Sequence, residues 1–202
     1  MKKAVWGATL AVLAGAAVIF AVRNPVVESA PSQVEVSERT AHVLHGKIEA
    51  IKKAEKAAGQ RAPERVEVSD AELESYVLYE LREDIPARVD SIDVQLTPGS
   101  VAANTKITFG NSPTNNPLID VLISGTHRLF VKGKLQARGG QAKFSLQEAR
   151  VDGIPVPLIL IETLIDKYVK PKYPDVNLDE PFVMPWGIKD LTITSGKATI
   201  VY

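Results

Sequence analysis

Few residues in this chain can carry reaction chemistry. Histidine occurs three times, as His42, His45 and His127, and cysteine is absent. That removes thiol nucleophiles, zinc ribbons, disulfide frameworks and the lipid-modified cysteine anchor. His42 and His45 lie three apart, so they share one face of a helix, with Glu38 or Glu49 a turn away. A shared metal and a pair of solvated histidines both fit that spacing, and it matches no metal-site signature. His127 falls in a strand pattern and reads either as a general base or as an ordinary strand histidine. Glu162 and Asp166 stand i,i+4 and would form a carboxylate pair or mark the wet edge of a helix. No Gly-x-Ser-x-Gly elbow occurs. These residues define no catalytic, cofactor or metal site, and the chain reads as a non-enzyme.

What remains is apolar. Hydrophobic residues make up 45% of the 202, enough to build a core, and the 24 bases balance the 24 acids. The balance is uneven along the chain. Lys2 and Lys3 are followed by 19 uncharged residues, Ala4–Val22, and residues 23–202 hold 22 bases against 24 acids. As a helix those 19 residues would reach about 28 Å, close to the hydrocarbon thickness of a bilayer. Their length favours an uncleaved anchor over residues 1–23 rather than a cleavable signal peptide. Both readings export the rest, since the lysines stay cytoplasmic. Export and the lack of net positive charge argue against a nucleic-acid partner. Residues 24–36, with Pro25 and Pro31, read as a linker.

Two helices follow in the pattern. Over 37–60, Ala41, Leu44, Ile48, Ile51 and Ala58 recur at 3-and-4 spacing and form a narrow stripe. The stripe suits a short stalk that would make a homodimer through the 37–59 helix, or a helix packed on its own domain. Ser69-Asp70-Ala71-Glu72 has capping-box spacing and opens a second helix, with Leu73, Val77, Leu81 and Ile85 on one face and Pro86 at its end.

From Ile92 the period changes to two, and the chain reads as hairpins. Turning at Thr97-Pro98-Gly99-Ser100 sets Leu96 opposite Val101, Val94 opposite Ala103 and Ile92 opposite Thr105. Folding about Gly139-Gly140 sets Ala137 opposite Ala142, Leu135 opposite Phe144 and Gly133 opposite Leu146. A last hairpin takes Leu191 and Ile193 through Ser195-Gly196 to Ala198 and Ile200, with Thr192 and Thr194 facing Thr199 and Lys197. The far face of the second hairpin shows Arg128, Lys132, Lys134, Arg138 and Lys143, a surface for anionic headgroups or an acidic polymer, or simply a solvated face. Between the hairpins, 157–169 reads as a helix that is apolar around much of its circumference, either a buried core helix or one wall of a cavity for an apolar ligand.

This order of elements, with the capped Ser69-Asp70-Ala71-Glu72-Leu73 helix, the Gly153-Ile154-Pro155-Val156-Pro157 break and Met184-Pro185-Trp186-Gly187-Ile188 before the last hairpin, resembles the bacterial single-domain relatives of the tubular lipid-binding (TULIP) superfamily over residues 66–202. Many of those relatives carry Asn after the Leu of the first helix, where this chain has Glu74. The resemblance implies an α+β fold in which a curved antiparallel sheet packs around long helices and binds lipid in the apolar seam between them, here preceded by an N-terminal transmembrane helix. It implies no catalytic residue and no cofactor. The seam residues it implies, drawn from the apolar faces above, are Tyr76, Val77, Leu81, Leu135, Phe144, Leu158, Ile161, Leu164 and Ile165. The expected protein is a single-pass protein of the bacterial inner membrane, held there by Ala4–Val22. Its C-terminal domain would lie outside the cytoplasm and carry a lipid or other hydrophobic molecule. The alternative is a non-enzymatic envelope scaffold with a sealed core.

Overall fold

The computed structural model describes residues 35–56, 62–82, 84–85, 87–110, 124–166, 170–171 and 180–202. The expected span, Ala4–Val22, lies outside the described residues, and no helix among those described is long and apolar enough to cross a membrane.

The fold is α+β, mostly one antiparallel sheet with a few helices. In chain order the elements are α1 (Glu38–Lys56), β1 (Arg65–Ser69), α2 (Asp70–Ser75) running on as a π-turn over Tyr76–Glu80, β2 (Arg88–Thr97), β3 (Ser100–Phe109), β4 (Gly125–Arg138), β5 (Gln141–Val151), β6 (Ile154–Pro155), α3 (Leu158–Leu164), β7 (Pro181–Val183), β8 (Asp190–Thr194) and β9 (Lys197–Val201). The three hairpin registers read from the sequence are the ones present: Leu96 faces Val101, Leu135 faces Phe144, and Ile193 faces Ala198. At the second turn Gly139 and Gly140 both have positive φ, 61° and 80°, as a two-residue turn matched to strand twist requires.

β4 is the spine of the sheet. One of its edges takes β3 from Gly125 to Lys134 and then β8 at Ala137, while its other edge takes β5. This change of partner joins the β2–β5 meander to the β8–β9–β1 group. Backbone bonds from Gly99 N to Ile193 O (3.2 Å) and from Gly196 N to Leu96 O (3.0 Å) close the join. Alternate residues of the long strands β2–β5 are buried on one inner face, among them Ile92, Val94, Leu96, Ile107, Leu129, Val131, Leu135 and Phe144. Each such side chain contributes about 1.5–3 kcal/mol. At Gly133 a Cβ would stand 2.2 Å from the Phe144 ring, so this position is reserved for the ring.

α1 covers that inner face. Ala41, Leu44, Ile48 and Ile51 are buried, and they share one hydrophobic core with the strands. The described part of the stripe that would suit a dimer stalk is therefore occupied within the chain. The capping box at Ser69 is formed, with Ser69 Oγ accepting from Glu72 N–H (3.2 Å) and Ser69 N–H donating to Glu72 Oε2 (2.9 Å).

Two helices differ from the sequence reading. The second, expected to run from Ser69 to Ile85, is α-helical only to Ser75 and becomes a π-turn. The third, expected over 157–169, is α-helical over Leu158–Leu164 and is not buried all round: Ile161 and Ile165 are buried, but Leu158 is 48% and Ile159 66% exposed. With α1 already on the sheet, α3 buries only its own i,i+4 stripe. The long helices expected inside the sheet reduce to α1 among the described residues.

Candidate functional site

An apolar cavity of about 80 Å³ lies between the sheet, α1 and the α2 π-turn. α1 contributes Leu44, Ile48 and Ile51 to it, and α2 with its π-turn contributes Leu73, Tyr76 and Val77. The floor is Val94, Leu96, Leu135, Leu191 and Ile193, and the far wall is Phe182, Met184 and Ile188 from β7 and the segment after it. That volume is about half of the 150 Å³ cavity that admits benzene. It fits a short run of methylenes, not a whole lipid.

Lys47 is the charged residue in the lining. Its Nζ donates to Glu72 Oε1 (2.5 Å) and to the Glu67 carbonyl (2.6 Å), so the carboxylate that closes the capping box of α2 also holds α1 against β1. The N-terminus of α1 is tied by Ser37 N–H to Ser75 Oγ (3.1 Å). His42 Nδ1 and His45 Nδ1 stand 3.3 and 3.1 Å from the two oxygens of Glu80 on the π-turn. Three polar ties thus fix α1 over the cavity, all to α2, its π-turn or β1.

Trp186 is buried with φ +56°, and its indole Nε1 has no hydrogen-bond partner among the described residues. It sits between Pro185 and Ile188 of the cavity wall, with Lys52 Nζ 5.2 Å from its ring centroid. A buried donor without an acceptor costs about 1–3 kcal/mol, so an acceptor brought by a ligand or water would be favoured there.

The nine seam residues implied by the resemblance separate. Tyr76, Val77 and Leu135 line the cavity. Leu81 packs against the margin of the core, Phe144 is buried over Gly133, and Ile161 and Ile165 are buried in the core. None of those four lines the cavity, and Leu158 is half exposed. The side chain of Leu164 lies outside the described residues. The space lies under α1, not under α3. Sequence reasoning missed Leu44, Ile48 and Ile51; the signal was the α1 stripe itself, three aliphatics at spacing suited to covering a sheet.

The polar candidates resolve differently. His127 Nδ1 stands 2.7 Å from Asp152 Oδ2 and its Nε2 stands 2.8 Å from the Ser124 carbonyl. Both ring nitrogens are engaged, so the arrangement leaves none open as a base. Asp152 is held below the usual carboxylate range: burial raises it, but the Arg128 N–H and the His127 imidazole outweigh that. Glu162 on α3 and Asp166 just beyond its end are both exposed, and Asp166 pairs with Lys170. Among the described residues no group of three metal-ligating side chains is placed to hold a metal ion.

Glu74 is the most perturbed acid. Its Oε1 accepts the Val94 N–H of edge strand β2 (2.7 Å), and burial pushes its carboxyl up to about 7. The side chain of α2 therefore closes a sheet edge that would otherwise present an open donor. Asn in that position would offer a neutral acceptor to the same N–H.

Comparison with protein-family models, curated proteins and solved structures returns no match.

Proposed function

We propose that this protein binds a hydrophobic ligand, the acyl chain of a lipid or a molecule like it, in the space under α1, as a membrane-anchored domain exported from a bacterial cytoplasm. The observation that carries the reading is the cavity lining: aliphatic and aromatic side chains on every wall, with Lys47 as the charged exception. Ligand sites are mostly apolar with a few placed polar groups, and Lys47 and the Trp186 N–H are the polar groups near this one. The resemblance to TULIP relatives agrees with a lipid-sized ligand, and Lys2, Lys3 and Ala4–Val22 supply the anchor. Sites for drug-sized ligands run to about 300–1,000 Å³, so the cavity is the closed form and loading lifts α1 from the sheet.

The small volume favours a second reading, an envelope scaffold with a sealed core. One experiment separates them. The purified full chain is extracted with organic solvent and the extract analysed by mass spectrometry. A stoichiometric lipid is the expected result, and repeated empty extracts together with no uptake from lipid vesicles would overturn it in favour of the scaffold.

A further inference from the structure

The outer face of the sheet, opposite the cavity, carries a second chemistry. The five bases from Arg128 to Lys143 lie on it as the alternation requires, and the strand register adds Lys106 on β3 and Arg150 on β5. Lys106 stands directly opposite Arg128 in the β3–β4 pair. Like charges directly opposite destabilise an antiparallel sheet. Among the described residues only Arg150 of these seven bases has an ion-pair partner, Glu148. The other acids at the margins are already engaged, Asp152 by His127 and Asp90 by Arg88 and Thr108. On β3–β5 these seven bases share the outer face with one acid, Glu148, which stands opposite Lys132, so the face is strongly cationic.

An apolar lip adjoins it. β6 pairs Pro155 with Arg150 on the outer face and Ile154 with buried Val151 on the inner one, so the lip stands at the β5–β6 edge, and the chain continues into α3. Ile154 is 70% exposed, Ile159 66% and Leu158 48%. Exposed aliphatic side chains beside bases are what an interfacial membrane contact needs, the aliphatics entering the headgroup boundary and the bases meeting acidic headgroups. A soluble acidic polymer would use the bases and leave the aliphatics in water. We propose that the domain docks by its β5–β6 edge on an anionic bilayer surface, the outer-face bases of β3–β5 meeting the headgroups and the Ile154–Ile159 lip entering beside them. The docking does not depend on whether the cavity holds a ligand.

The chain has no cysteine, so single labels report cleanly. The full chain carrying an environment-sensitive fluorophore at Ile159→Cys is reconstituted with vesicles of phosphatidylcholine alone or mixed equally with phosphatidylglycerol. A second sample carries the label at Lys53→Cys, an exposed position of α1. The expected result is a blue shift and quenching by brominated lipid at position 159 with the acidic vesicles only, and none at 53. About 1 M salt, where the Debye length is about 3 Å, should abolish it. One base near an acidic surface is worth about fivefold, so Lys106→Gln with Lys132→Gln should lower the ratio of docked to undocked domain about twenty-five-fold. A water-exposed label in acidic vesicles overturns the proposal, as does equal burial in neutral ones. Tight binding of polyglutamate that displaces nothing from acidic vesicles would make the face a polymer site instead.

Discussion

Glu74 ties pH to stability. Its carboxyl is pushed from 4.5 to about 7 by burial, so the folded protein holds this proton more tightly than the unfolded chain. The stabilisation is fully present below pH 4.5 and is lost as pH rises through about 7. Discounted for its partial exposure, the effect is about 1–2 kcal/mol. Glu74→Gln keeps an acceptor for the Val94 N–H and removes the charge. The variant should therefore melt higher than the parent at pH 8, match it near pH 4, and show a flatter stability profile between; an unchanged slope in denaturant titrations at several pH values would refute the account. A second residue makes a steric prediction. Gly133→Ala places a Cβ inside the Phe144 ring and should cost about 1–3 kcal/mol, measured as a lower denaturation midpoint with unchanged m. Neither effect was legible in the sequence, because each depends on a partner 11 or more residues away: Phe144 for Gly133, and Val94 for Glu74.

At the scale of elements, the hairpins were legible and the helices less so. In a hairpin the turn fixes the register and the period of two fixes the face, so Thr97–Ser100 and Gly139-Gly140 determine the pairs of β2–β3 as far as Ser91 and Lys106, where the register shifts, and the first half of β4–β5. The bulge that shifts β4–β5 between Lys132 and Gly133 left no such mark. A helix stripe says that one face is buried but not what buries it. That is why the α1 stripe was open between a dimer and the sheet, and why the cavity was sought under α3. In the structure the stripe packs on the sheet: three hairpins with one apolar face each need a cover, and at 19 residues α1 is the longest described helix. The capping box was legible because its two bonds are local. Ser69→Ala should cost about 1 kcal/mol through loss of the cap, and it should also loosen α1, because Glu72 holds both the cap and Lys47. Amide exchange in α1 is the measurement, and faster exchange confined to α2 would show that Glu72 does not couple the two helices.

For the whole molecule, the opposed faces and the cavity divide the work: the inner face stores apolar surface under α1, and the outer face gathers charge. Whether the stored space is a ligand site or a packing defect turns on what filling it does. Val77 lines the cavity, whereas Ile161 is buried in the core away from it. Val77→Phe adds volume where there is room and Ile161→Phe adds it where there is none. Overpacking a filled site costs about 1–3 kcal/mol, so Ile161→Phe should lower the melting temperature without changing the lipid extracted per folded protein. Val77→Phe should do the reverse, keeping or raising stability by occupying the void while excluding the ligand, so that extracted lipid falls severalfold. A sealed core predicts that Val77→Phe gains stability and that neither the parent nor the variant yields lipid. Loss of stability in both variants with lipid loading intact would place the ligand elsewhere on the molecule, and the space under α1 would then be ordinary core.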